Sequence, residues 1–165
     1  MKKQAARASL VACITDRKED FYRLAYSYVK NQEDALDIVQ ESIKKALDSV
    51  DSVRNPDTIK SWFYKILVRT AIDFLRKRKK LKVMDDQTIE FLSKGKEDIY
   101  RDTDLHEALD ELPHPYHTII VLRFFEDLKL EEIAEITGEN LNTIKTRLYR
   151  GLKLMRIQLT KEDLS

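Results

Sequence analysis

Glycine and proline are nearly missing from this chain, with three of each in 165 residues. So few breakers, in a sequence rich in leucine, isoleucine, lysine, glutamate and arginine, leave helix as the only regular structure available almost throughout. The breakers that remain help to place the joints. Pro56 follows Asn55 and suits the first position of a helix capped by that asparagine. Pro113 and Pro115 interrupt a second run, and Gly138 suits the end of a third.

Helical periodicity fills in the rest. Phe21, Leu24, Ala25, Tyr28 and Val29 recur at helical spacing. Asn31 then breaks the pattern and can cap a helix, with Asp34 as its partner three residues on. Leu36, Val39, Ile43, Ala46, Leu47 and Val50 give that helix one apolar face, and Asp37, Gln40, Glu41 and Lys44 lie towards the other side. After a loop at 51–55, Ile59, Trp62, Phe63, Ile66, Leu67, Ala71, Phe74 and Leu75 form a broad stripe. It runs into RKRKKLK at 76–82, six of seven residues basic.

The pattern fails from Val83 to Asp104, which is acidic and weakly periodic. Such a stretch is long for a loop inside one compact domain. The predicted fold is therefore all-α, with two small helical domains, 1–82 and 105–165, joined by a flexible linker at 83–104. Leu105, Leu109 and Leu112 open the second domain, and Ile119, Ile120, Leu122 and Phe124 follow on an apolar helix.

Several function classes are disfavoured. Cys13 is the single cysteine, so neither an intrachain disulfide nor a cysteine zinc site is available. No apolar run is long enough to cross a bilayer, and the Ala8–Ile14 patch is too short and polar for a signal peptide. A cytoplasmic location is expected. His106, His114 and His117 flank prolines without a metal-ligand spacing and are expected at the surface. No phosphate loop or nucleophile motif occurs, so no catalytic residue, metal or cofactor is expected.

Net charge is only +1, but charge is unevenly placed. Glu131, Glu132 and Glu135 precede Gly138; after it come Lys145, Arg147, Arg150 and Lys153, with no acid from Asn142 to Met155. Leu130, Ile133, Ala134 and Ile136 suit a short amphipathic helix. Asn142 is the expected cap of the next, with Ile144, Leu148, Leu152 and Met155 as its buried stripe. Two helices joined by a tight turn, the second basic on its exposed side, make a helix-turn-helix. Lys145, Thr146, Arg147, Tyr149, Arg150 and Lys153 occupy the remaining circumference. That face suits a major groove, where phosphates flank the helix and acids would be repelled.

These residues also carry a family resemblance. ELPHPYHTIIVLRFFEDLKLEEIAEITGENLNTIKTRLYRGLKLMR resembles region 4 of bacterial extracytoplasmic-function (ECF) sigma factors. DALDIVQES, at 34–42, is similar to the polymerase-binding motif of their region 2, and SWFYKILVRTAIDFLRKRKK to their promoter-melting and recognition segment. The resemblance implies a subunit that binds core RNA polymerase and confers promoter specificity. Asp37, Gln40 and Glu41 would contact the clamp coiled coil of the largest subunit, while region 4 meets the beta flap. Arg54, Asn55, Trp62, Lys65, Arg69, Arg76 and Lys77 would serve minus-ten recognition and melting. Asn142, Thr143, Lys145, Thr146, Arg147, Tyr149, Arg150 and Lys153 would serve the minus-thirty-five element. An anti-sigma factor, in much of the family membrane-associated, is a further implied partner.

Simpler roles compete at several positions. Asn55 can act as a cap, Trp62 can be buried, Tyr149 can close the edge of the core, and the distal basic run can be merely solvated. Two departures from the family pattern, Arg69 before Thr70 and Asn142 at a usually small position, make promoter letters less transferable. The alternative function is a freestanding dimeric helix-turn-helix regulator.

Overall fold

The computed structural model describes residues 2–84 and 108–163, with side chains over 4–79 and 108–157. All regular structure among the described residues is helical. The expected linker lies outside them except for Val83 and Met84, which still belong to a helix; Leu105 and His106 also lie outside the described residues.

Three helices build the N-terminal module. α1 spans Lys2–Val29 and is kinked at Arg17 (φ −117°, ψ 17°). α2 spans Gln32–Ser49, and α3 spans Ile59–Met84. Asn31 caps α2 as expected, its Oδ1 accepting from Asp34 N–H at 3.0 Å. Asn55 accepts from Asp57 N–H at 3.0 Å, although the turn it caps, Pro56–Thr58, is a 3₁₀ turn leading into α3. Phe21, Phe63 and Tyr64 form the centre of the core. The Phe21 and Phe63 rings lie 4.5 Å apart, and Tyr64 meets Phe21 edge-on at 5.0 Å.

The apolar face of α2 is rotated from the one expected. Ala35, Ile38, Val39, Ser42 and Ala46 are buried, whereas Leu36 and Leu47 are 42% and 39% exposed. Two stripes compete in this sequence, and the one lined by small residues wins. Alanine and serine let α2 approach its neighbours closely, and Ser42 satisfies its hydroxyl on Ile38 O at 2.7 Å.

The C-terminal module holds α4 (His114–Ile120), α5 (Leu130–Thr137) and α6 (Leu141–Asp163). A π turn at Val121–Phe125 continues α4. Its extra residue per turn shifts the register, so Ile119, Ile120 and Leu122 are buried while Phe124, expected on the same face, is 56% exposed. Gly138 takes φ +75° and ends α5, its N–H bonded to Ala134 O at 2.9 Å. The turn is thus closed by the left-handed residue that only glycine adopts freely.

Two details of α6 depart from expectation. The cap is Asn140, whose Oδ1 accepts from Thr143 N–H at 2.8 Å; Asn142 already lies in the first helical turn. Leu152 is exposed, and Gly151 is buried in its place. A Cβ at 151 would stand 2.9 Å from Ile120 Cδ1 and 3.3 Å from Tyr116 Cβ. The glycine lets α4 lie against α6, and the stripe becomes Ile144, Leu148, Gly151 and Met155, which follows the 3.6-residue period more closely.

The modules share one apolar cluster, and polar contacts line the seam between them. Lys60 Nζ lies 2.9 Å from Glu132 Oε2. Tyr64 Oη donates to Glu126 Oε2 at 3.2 Å, and Arg23 Nε stands 3.6 Å from Glu126 Oε1. Ser27 Oγ lies 3.2 Å from His117 Nε2, Tyr28 hydrogen-bonds Thr118, and Lys30 pairs with Asp110. A cavity of about 230 Å³ opens beside the last three contacts, between Tyr28, Lys30, Asp110, His114 and His117. His117 was expected at the surface; it is 4% exposed. Its ring is enclosed because Leu109 O, at 3.1 Å, and Ser27 satisfy both nitrogens, and Tyr28 packs against it with centroids 4.8 Å apart.

Candidate nucleic-acid interface

α6 presents the most complete candidate surface. Its buried side rests on α4 and α5, which turns Lys145, Thr146, Tyr149, Arg150 and Lys153 to solvent. Tyr149 is 76% exposed, so its ring does not close the core edge. The Thr146 hydroxyl bonds back to Asn142 O at 3.0 Å, which leaves the methyl group for outside contact. Arg147 is half-buried and held by Glu139 at 3.2 Å. It is therefore partly committed within the turn, unlike Arg150 and Lys153. Asn142 is exposed and Thr143 half-buried at the helix start, where the helix dipole favours anions although the Asn140 cap already takes the Thr143 N–H.

The second surface lies on α3. Successive residues advance about 100° around a helix, which puts Trp62, Lys65, Arg69 and Arg76 on one face. The opposite face, with Phe63, Tyr64, Leu67 and Ala71, is buried. Trp62 is half-buried against the core yet sits on the edge of the basic face, so one side of the ring packs and the other is available. Arg69 and Lys77 are exposed; Arg76 is exposed with Asp73 3.9 Å away. The basic run is not uniform. Arg78 folds back to Val29 O at 3.3 Å and Asp34 at 3.9 Å, a structural role.

Thr70, which follows the unusual Arg69, is buried and accepts from Lys45 Nζ at 3.2 Å while donating to Ile66 O at 2.7 Å. It ties α2 to α3. Arg54 and Asn55 are exposed between two 3₁₀ turns. The Asn55 oxygen is spent on its cap, which leaves its amide nitrogen as the remaining side-chain donor.

Asp37, Gln40 and Glu41 all lie on the exposed side of α2. The sequence reading missed the companions of these three, Leu36 and Leu47, which stand outward on the same side. The signal available was the alternative stripe of small residues at 35, 38, 39, 42 and 46. Among the described residues no cluster of three histidine, cysteine, aspartate or glutamate side chains is placed to hold a metal. No described helix is long and apolar enough to cross a membrane.

Comparison with known proteins agrees with this geometry. Residues 13–81 match the family described as Sigma-70 region 2, and residues 102–155 match Sigma-70, region 4. The chain is 84% identical over 164 residues to the RNA polymerase sigma factor SigV of Bacillus subtilis, covering 99% of both chains. It is 31% identical to the ECF RNA polymerase sigma factor SigW of the same organism, over 86% of this chain and 84% of that one. Among solved structures, the sigma factor RpoE of Bartonella quintana, in complex with the anti-sigma factor NepR, superposes with a TM-score of 0.68 at 24% identity, covering 96% of each chain. CnrH in complex with the cytosolic domain of CnrY gives 0.72 at 16% identity, covering 97% of each. A two-module helical fold and sequence matches that run nearly end to end lead to one conclusion: this chain belongs to the ECF RNA polymerase sigma factors.

Proposed function

We propose that the two exposed basic helix faces divide promoter recognition between them. α6 enters the major groove of the minus-thirty-five element, where Lys145, Arg150 and Lys153 meet phosphates and guanine edges and the Thr146 methyl meets thymine. The α3 face holds the opened minus-ten region. Trp62 stacks on an unpaired base, Lys65, Arg69, Arg76 and Lys77 neutralise the strand, and Arg54 and Asn55 lie at the adjoining loop. Binding free energy from contacts available only with open DNA shifts the duplex equilibrium, so no hydrolysable ligand is needed.

The outer face of α2 is the proposed polymerase surface. Asp37, Gln40 and Glu41 supply charge and hydrogen bonds for the clamp coiled coil, Leu36 and Leu47 supply apolar area, and the C-terminal module meets the beta flap. Near-neutral net charge supports dependence on the enzyme, since non-specific affinity for DNA grows with the number of phosphates neutralised. An anti-sigma factor, membrane-anchored or soluble, is the proposed regulator, supported by the partners named for RpoE and CnrH. The proposed site of action is the cytoplasm.

The outward-facing surface of α6 from Asn142 to Met155, which holds no acid, carries this reading. Purified chain added to core polymerase should give promoter-dependent run-off transcription. Tight binding to a palindromic operator by the chain alone, with no run-off from any promoter of a genomic library, would favour the freestanding regulator.

A further inference from the structure

Glu126 is the odd member of the seam. The C-terminal module carries it, yet the groups around it belong to the N-terminal module: Arg23 and Asp20 on α1, and Tyr64 on α3. Its side chain is fully buried, and its Oε1 is the one buried side-chain oxygen without a hydrogen-bond partner among the described residues. Arg23, the cation paired with it among the described residues, is at 3.6 Å, too long for a hydrogen bond, and is itself shared with Asp20. A buried carboxylate left half-satisfied weakens the interface that encloses it.

We propose that Glu126 is the release of this closed arrangement, a deliberately poor contact that keeps the seam easy to open. This rests on the reading that the two modules address two separated promoter elements. Elements named minus ten and minus thirty-five lie about 25 base pairs apart, or about 85 Å of duplex at ~3.4 Å per pair. A compact chain of this length has a radius of gyration of about 15 Å and so a diameter near 40 Å. The closed chain cannot touch both elements. Residues 85–107 permit a covalent span of at most ~80 Å, enough for the separated modules to do so. Closure leaves the outer faces of α3 and α6 exposed; what it prevents is their simultaneous use.

Titration supports the assignment. Burial pushes the Glu126 carboxyl up to about 7, against the pull of Arg23 and the Tyr64 hydrogen bond and with Asp20 adding to the rise. Its raised value means that closure is unpenalised below the ordinary carboxylate range and is weakened as pH rises through about 7. His117 acts oppositely. Burial lowers it to about 4, the bond to Leu109 O resists, and Lys30 and His114 add to the fall. Closure is therefore unpenalised by His117 above its ordinary value near 6.5 and is weakened as pH falls towards 4. The two roughly offset through the mildly acidic range, and above neutrality only the Glu126 penalty remains.

Energy transfer between dyes at Asp48→Cys and Glu135→Cys, in the full chain with Cys13→Ser, measures closure directly. At pH 8, Glu126→Gln should raise the ratio of closed to open chains on the order of tenfold, and at pH 5 it should change little. Glu132→Lys, which sets two cations together at Lys60, should open the chain, and the swap Lys60→Glu with Glu132→Lys should close it again. With core polymerase at pH 8, Glu126→Gln should slow run-off, and adding Glu132→Lys should restore it. A wild-type chain open at every pH, or a Glu126→Gln variant no more closed than wild type at pH 8, overturns the proposal. Run-off unchanged by a variant that is measurably more closed also overturns it. Failure of the wild-type chain to direct run-off at all would strike the promoter reading instead, since energy transfer needs neither polymerase nor DNA.

Discussion

α3 and α6 are both long helices with basic outer faces, but they are held in different ways. α3 is a strut. Ile59, Phe63, Tyr64, Leu67, Val68 and Ala71 bury one side of it at the centre of a three-helix core. α6 touches its module along a narrow line of Ile144, Leu148, Gly151 and Met155, and most of its circumference is free. A reading helix must expose several side chains to a groove, and a thin contact line permits that. A helix that holds a separated strand needs rigidity more than reach. It follows that substitutions on α3 should mix stability with function, whereas those on the outer face of α6 should affect function alone.

The comparison breaks first, and hardest, at Phe63. Phe63→Ala should cost about 3–5 kcal/mol of stability, measured by denaturant unfolding. A loss under 1 kcal/mol would mean that α3 is not the strut described. Next, Arg150→Ala should leave the unfolding midpoint unchanged while removing about 1–3 kcal/mol of minus-thirty-five discrimination in competition binding of the polymerase complex. Unaltered discrimination would show that α6 reads through other residues. Trp62→Ala separates the two helices most finely, because this ring both packs and faces out. It should lower open-complex formation by about 1–3 kcal/mol per lost stacked base, with a smaller loss of stability on the same scale. Smaller still is the cap. Asn140→Ala should destabilise by about 0.5–2 kcal/mol, and Asn142→Ala should not. Asp37→Lys, at the low end, should weaken core association several-fold with no change in helix content, as seen by titration of labelled chain.

Much of this was legible in the sequence because it depends on neighbours along the chain. Asn31, Asn55 and Gly138 act within their own turns, and their chemistry alone marks the joints. The two-helix motif with acids before the turn and bases after it is present, although Asn140 rather than Asn142 caps the second helix and Leu152 leaves its buried stripe. Errors arose where a distant segment decided the outcome. Leu36 and Leu47 face outward because a second stripe of small residues fits the neighbouring helices better. His117 is enclosed by Tyr28 and by Ser27, the latter ninety positions away in the chain, which no local pattern discloses. Phe124 and Leu152 were displaced by a π turn and a close helix crossing. The close crossing depends on packing between α4 and α6, and the π turn packs against α1 and α5.

That crossing has a further consequence. At Gly151 the two helices touch almost backbone to side chain, so α6 cannot turn about its long axis without driving residue 151 away from Ile120 and Tyr116. The glycine thus fixes the helix's angular phase, and with it the direction in which Lys145, Tyr149 and Arg150 aim. One residue inserted just before position 151 would leave every one of those side chains in place along the sequence and swing them all by about 100°. The lettering would survive, and the protein would be pointing it at the wrong wall of the groove.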